Sequence, residues 1–335
     1  MGRQRHWRRQ LLILAVATGL MAGKVAGAAA ADLELTGQAF EPGMTPCALG
    51  WGADDQAYPG KFVVNPRDGA EMVWVPAGKL RMGTGVEDIG RLWRENRWEE
   101  DWKEHTALEQ PAHEVALTEG YWLYRHEVTN RQYGMFLLST SHDGYLAWDT
   151  AKQHPLFPVV AIHWEDAAAY CRWAGGSLPT EAQWEWAARG PQSRTYPWGN
   201  SWDRAKANSA EFWAREPLLT TAAFKQWREA INVKQLPDVV PYLREVGSFP
   251  AGASWCGALD LVGNVCEWCA DWYGYGYYSK SPAADPTGPT EGTARVLRGG
   301  SWMSTGPNCR SAYRLKGSPK TGYGYGGFRL VVSAK

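Results

Sequence analysis

Twenty tryptophans and 37 glycines share a chain of 335 residues, and that pairing restricts the fold more than any other feature. Tryptophan buries more area than any other side chain, so twenty of them call for a core built largely of rings. Glycine takes backbone conformations closed to other residues, which lets the chain turn tightly between short segments. The expectation is a compact, loop-rich α+β fold with little regular secondary structure, made of short strands and a few helices. At this length the chain holds one large domain or two small ones. Lys+Arg and Asp+Glu are 35 each, so no basic excess points to nucleic acid or to an anionic lipid surface.

The first thirty residues have the pattern of an export signal rather than of a fold. Five arginines or histidines stand within Met1 to Gln10, Leu11 to Gly23 is apolar, and Ala26-Gly27-Ala28 and Ala29-Ala30-Ala31 supply small residues at the exit. A basic end, a short apolar run and a small-residue exit are the three parts of a signal peptide. The apolar run is short for a bilayer span; a retained anchor is the alternative. Arg8-Arg9 ahead of Leu11-Leu12 carries a faint twin-arginine flavour. The organisation expected is a signal at 1–30, an arm or linker at 31–69 and one domain at 70–333. The location expected is periplasmic or secreted, with no membrane span once the signal is removed. In an oxidising compartment the six cysteines (Cys47, Cys171, Cys256, Cys266, Cys269, Cys309) permit up to three disulfides, and the pairing stays open. Cys266 and Cys269 form a C-x-x-C, but no second one completes a zinc site.

Along the chain, Met72 to Gly78 and Leu80 to Gly83 suggest two strands joined by a turn, and His113 to Val115 and Tyr121 to Glu127 alternate as strands. Residues 86 to 105, rich in Glu, Arg and Trp, suggest a surface helical insertion. Thr129 or Asn130 caps a helix running to Leu138, and a second spans His163 to Ala174 and stops at Gly175-Gly176. Thr180 and Gln183 form a capping box for a third helix with Trp184, Ala187 and Ala188 as its buried stripe. Residues 209–245 look like a second insertion, and short strands follow from Val246.

Several of these segments fall in a recognisable order. They include Met72-Val73-Trp74-Val75-Pro76-Ala77-Gly78, His126-Glu127-Val128-Thr129-Asn130, Leu178-Pro179-Thr180-Glu181-Ala182-Gln183-Trp184-Glu185-Trp186, and Tyr196-Pro197-Trp198-Gly199-Asn200. Asp260-Leu261-Val262-Gly263-Asn264-Val265-Cys266-Glu267-Trp268, Arg298-Gly299-Gly300-Ser301-Trp302 and Gly327-Phe328-Arg329-Leu330 complete the series. It resembles the formylglycine-generating enzyme (sulfatase-modifying factor) superfamily over roughly 70 to 333. The resemblance implies a fold related to C-type lectins, interrupted here by insertions near 86–110 and 209–245. That superfamily includes copper-dependent oxidases, iron-linked biosynthetic enzymes and non-enzymatic display proteins, so the fold alone does not set the function.

The resemblance also implies where a catalytic thiol pair would stand. Counted forward from Gly299-Gly300-Ser301-Trp302, the two positions are Ser304 and Cys309. Counted back from Arg310-Ser311-Ala312-Tyr313-Arg314, Cys309 falls outside the site. Either count loses at least one thiolate, and Cu(I) prefers thiolate sulfur to a hydroxyl. The candidate pocket is therefore Ser301, Ser304, Cys309 and Cys266, the last standing where the family has an aromatic residue. Cys309 as a buried small hydrophobe, or bonded to Cys269, is the plainer alternative. Neither copper nor iron is supported by these residues.

For calcium the resemblance implies Asp260, Gly263, Val265 and Glu267 on one tight loop, two carboxylates and two carbonyls suited to a hard cation. Asn208 and Ser209 match the start of a second site. The competing role for Glu267 is an ion pair with Arg314 or Arg329. The seven histidines are scattered, without metal-ligand spacing. Met303 to Tyr325, rich in Ser, Gly and Tyr, suggests a contact surface for an unidentified protein or small-molecule ligand, with Trp302, Met303, Ser304, Thr305, Tyr323 and Tyr325 as its candidates. The reading is a calcium-stabilised binding or accessory protein without formylglycine-generating activity. The alternative is a divergent metal-dependent oxidase with another site or substrate.

Overall fold

Alternating Val, Trp and Met residues near the start of the domain form the first paired strands. The computed structural model describes residues 62–142, 151–234 and 236–333; the export segment, Cys47 and most of the 31–69 arm lie outside them. Strands β1 (Val63–Val64), β2 (Glu71–Val75), β5 (Tyr121–Tyr124) and β10 (Val331–Ser333) make one antiparallel sheet in the order β1-β2-β5-β10. Leu123 is the pivot of its register, opposite Val73 on one side and Val331 on the other. The first and last strands thus form opposite edges of one sheet, with β2 and β5 between them. β1 and the buried Asn65 and Asp68 belong to this sheet system, so the ordered domain begins several residues before the expected boundary at 70.

β3 (Gly78–Met82) and β4 (His113–Leu117) form a separate ribbon with Leu80 opposite Val115. The third sheet runs β8 (Arg314–Gly317), β7 (Arg295–Arg298), β6 (Cys266–Trp272), β9 (Gly326–Gly327). Its β6–β9 pair is parallel and sets Glu267 beside Gly327.

The helices follow local signals. α1 (Val86–Asn96) opens the first insertion, and α2 (Asn130–Thr140) starts from a full capping box of Thr129 and Gln132. α3 (Trp164–Trp173) precedes α4 (Glu181–Arg189), whose N-terminus is closed by the box of Thr180 and Gln183. Trp184, Ala187 and Ala188 are fully buried on α4, the stripe its spacing predicts. In the second insertion α5 (Ala210–Ala214) is capped by Ser209 and α6 (Thr221–Ile231) by Thr220.

One feature of α4 is not apolar. Glu181 and Glu185, one turn apart, are buried against β7 and β8. Arg298 reaches Glu181 at 2.9 Å and Glu185 at 2.5 Å, and Arg314 grips Glu181 at 2.6 and 2.8 Å. Buried charges are tolerated only when paired this completely, and removing one partner strands the other. This network locks α4 to the third sheet and carries the loop after β7.

The first insertion is not a surface appendage. Its Trp93, Trp98 and Trp102 are buried and pack with Leu92, Tyr196, Ala207, Val262 and Cys309. The alternation of Glu and Arg between those tryptophans marks the outer face, and the rings mark an inner one.

Candidate functional site

The turn after β7 sets the geometry. Gly299 and Gly300 both have positive φ, 93° and 69°, conformations that strain any residue with a Cβ. A Cβ built on Gly300 would stand 3.1 Å from Cys309 Sγ, 3.1 Å from Ser304 Cβ and 2.8 Å from the Asn308 carbonyl. Ser304 and Cys309 therefore flank the same glycine. The Ser304 hydroxyl accepts from the Ser301 amide at 3.0 Å, and the Ser301 hydroxyl accepts from the Met303 amide at 3.4 Å. Ser301, Ser304 and Cys309 form one knot.

Cys266 is not in it. It opens β6, donates to the Tyr325 carbonyl at 3.1 Å, and packs in the cluster of Trp268 and Phe328. Cys309 and Cys269 occupy different clusters and neither is bonded; Cys171, Cys256, Cys266, Cys269 and Cys309 are all buried free thiols. Burial pushes the Cys309 and Cys266 thiols up, so both hold their protons at neutral pH.

The expected contact surface is partly roofed. Trp302 is 1% exposed and stacks on Tyr242 of the second insertion, centroids 5.0 Å apart. Thr305 is fully buried, its hydroxyl without a partner among the described residues. Met303 and Tyr325 pack with Trp227 and Ile231 of α6. Tyr323 and Tyr325 stack on each other and remain half-buried. The second insertion covers Trp302, while Met303, Ser304, Tyr323 and Tyr325 keep part of their surface exposed. The insertions also join each other: Glu99 Oε2 accepts from the Thr221 amide at 2.7 Å and its hydroxyl at 3.0 Å, and Trp102 donates to the Leu219 carbonyl at 3.3 Å.

On the opposite side of the 260–267 loop lies a cluster of acids. Asp260 and Asn264 sit at positive φ, and Gly263 approaches Asn208 so closely that a Cβ would meet its carbonyl at 2.4 Å. The two expected metal segments are therefore in contact. Asn208 is committed within the protein, accepting from Trp213 and donating to Asn264 and the Tyr242 carbonyl, while Ser209 caps α5. Glu267 is held by Arg329 and by Trp184; Arg314 serves Glu181 instead. Asp260 accepts from the Gly247 amide at 2.6 Å, and burial lifts its carboxyl to about 6.

The third acid, Glu127, was not singled out from its motif. It is 1% exposed, and its Oε1 has no partner among the described residues. Burial first, then Asp260 and Glu267, drive its carboxyl well above the ordinary range. Next to it, burial and then Arg125 and Arg329 hold His126 down at about 3, so that ring supplies no charge. The three buried carboxyls share Arg329, and Arg125 also acts on Asp260. No three His, Cys, Asp or Glu side chains among the described residues close on one point, so a cation here would draw on carbonyl and amide oxygens too, as calcium does. The available signal for Glu127 was its place in the His126-Glu127-Val128-Thr129-Asn130 motif just past β5.

Three short-stranded sheets, capped helices, buried Arg–Glu pairs and a Gly-Gly-Ser-aromatic turn define the class as a sulfatase-modifying-factor-type α+β domain. Residues 59–334 match the family described as sulfatase-modifying factor enzyme 1-like domain, and the chain belongs to it. A formylglycine-generating enzyme of Streptomyces coelicolor is 38% identical over 193 residues, covering 54% of each chain. The bovine formylglycine-generating enzyme is 28% identical over 315 residues, covering 80% of this chain and 76% of its own. The chain thus spans only about half the length of the Streptomyces relative. Among solved structures, that of PvdO from Pseudomonas aeruginosa superposes with a TM-score of 0.59 at 23% identity, over 82% of this chain and 98% of that one. It supports the fold.

Proposed function

We propose that this domain is an exported, calcium-stabilised binding or accessory protein that does not generate formylglycine. The observation carrying the reading is the residue across Gly300 from Cys309: a serine, not a second cysteine. A copper(I) site of the thiolate kind needs two soft anionic donors, and a hydroxyl that stays protonated is a poor replacement. One thiol beside one hydroxyl is a donor set that does not fit copper(I), and no redox step is assigned to it. The acidic loop is where a structural calcium fits, with Asp260, Glu267, Glu127 and the Gly263 and Val265 carbonyls as candidate donors; Asn208 and Ser209 support the loop. Among the described residues no helix is long and apolar enough to cross a membrane, and the export reading rests on the signal-like start of the chain. The ligand or partner stays open at the level of a protein or small molecule.

The test is direct. Purified mature protein, supplied with Cu(I), oxygen and a peptide carrying the sulfatase cysteine motif, should produce no peptide aldehyde by mass spectrometry. Catalytic aldehyde formation above a copper-only control would overturn the reading and favour the divergent oxidase.

A further inference from the structure

A cavity of about 290 Å³ lies between α1, the end of α4 with the segment after it, and the residues that follow Cys309. Its wall carries four guanidinium groups, Arg81, Arg91, Arg189 and Arg310, and one carboxylate, Asp88, with the exposed Glu87 paired to Arg81 beside it. Both oxygens of Asp88 are already engaged, with Arg81 at 2.7 Å and Arg91 at 2.9 Å. The acids behind the wall are engaged as well. Glu109 is gripped by Arg310 at 2.6 Å through both oxygens, and Glu185 by Arg189 at 2.6 Å and Arg298 at 2.5 Å. These pairs fix the two buried guanidiniums in place. Arg189 adds bonds to the carbonyls of Arg81 and Gly83, which leaves no freedom in its orientation.

At the mouth the donors are less committed. Arg91 bonds Asp88 through Nη2, and Asn200 accepts the Thr195 amide through Oδ1, with its amide nitrogen on the other side of the group. Fixed cations at the back and unspent N–H donors at the front match an acceptor-rich, negatively charged guest. We propose that this cavity binds a small polyanion, a di- or tricarboxylate or a phosphate ester. The volume sits at the small end of ligand pockets, which run from roughly 300 Å³ upward. Part of the wall, Asp88, Arg91 and Leu92, comes from the first insertion, so the site belongs to this chain's own elaboration of the domain. Leu92, which lines the cavity, belongs to the same buried cluster as Cys309. The proposal is independent of calcium on the acidic loop.

Isothermal titration of the mature protein with citrate and, separately, inorganic phosphate tests it at constant ionic strength in 0.15 M NaCl. The expected result is saturable binding of at least one anion near one per chain; which one binds distinguishes a carboxylate guest from a phosphate one. Arg91→Ala removes an exposed side chain and should leave the melting temperature of the free protein unchanged while weakening binding roughly tenfold, the worth of a charge-assisted bond. Asn200→Ala should weaken it less. Saturable heat from neither anion would overturn the proposal. So would an Arg91→Ala protein that binds as the parent does, or an equal response to uncharged erythritol.

Discussion

Arg329 holds Glu267 with two parallel bonds, Nε to Oε2 and Nη2 to Oε1, both 2.7 Å. That grip satisfies one acid of the loop and leaves Glu127 and Asp260 to share its field. If calcium adds positive charge here, chelation should loosen the domain. With EDTA the melting temperature should fall by about 5 °C, the linkage expected at a ligand concentration near a hundred times its dissociation constant, and calcium should restore it. Glu127→Gln removes a carboxyl that burial keeps protonated in the metal-free fold, so the metal-free variant should melt above the metal-free parent and respond less to calcium. Differential scanning fluorimetry measures all four states. Identical melts of the parent with and without chelator would remove calcium from the account.

The same acids set a pH dependence whose sign is fixed. Asp260 is raised to about 6 in the folded protein, from near 4 in an unfolded chain. Between those values the folded state binds more protons, so metal-free stability falls as pH rises through that window and stays low above it. Asp271, raised to about 7 by burial and by Glu181, extends the fall toward neutrality. Urea denaturation in EDTA should therefore show higher stability at pH 5 than at pH 7.5. Asp260→Asn suits the positive φ of that position. It should flatten the slope and raise metal-free stability at pH 7.5 by an amount of order 2 kcal/mol.

These acids show where the chain was legible and where it was not. The capping boxes at Thr129 and Thr180 and the alternation in β2 are local patterns, readable because the hydrogen bonds that make them span a few residues. Glu267 and Arg329 stand in the matching motifs, yet their pairing, and the shortfall it leaves at Glu127, depends on the parallel β6–β9 contact, which joins segments about sixty residues apart. Trp93, Trp98 and Trp102 were the signal that the first insertion is buried. The charges between them masked it, because an amphipathic segment shows its polar face as plainly as its apolar one. The nearness of Ser304 and Cys309 to one glycine comes from backbone: two successive glycines at positive φ make the turn, and no count along the chain contains it.

The roof over the site has a seam that can be loosened without emptying its core. Glu99→Ala cuts both bonds to Thr221, a loss of roughly 1–3 kcal/mol. Local opening of the insertions should become correspondingly more frequent. Cys309, shielded by their tryptophans, should then react with a maleimide roughly tenfold faster, mapped by mass spectrometry. Cys266 and Cys171, buried in another cluster, should keep their parental rates. Uniform acceleration at every cysteine would mean global destabilisation and would deny the insertions a separate role as a cover.

The strongest check of the serine at position 304 is to replace it. Ser304→Cys puts a second thiol where Gly300 lets two side chains meet, its Cβ already 3.1 Å from the position that a Gly300 Cβ would take, the same distance as Cys309 Sγ. Two thiols on one point offer the soft donor pair that the parent lacks, and a bound metal would lower both thiol pKa values enough to deprotonate them. Under reducing, anaerobic conditions the variant should compete for Cu(I) against a chromophoric chelator with a stoichiometry near one, while the parent leaves the chelator complex unchanged. Cover and burial remain in the variant, so metal binding tests the donor set apart from turnover. Equal copper retention by parent and variant would show that something other than the missing thiol decides the chemistry of this turn.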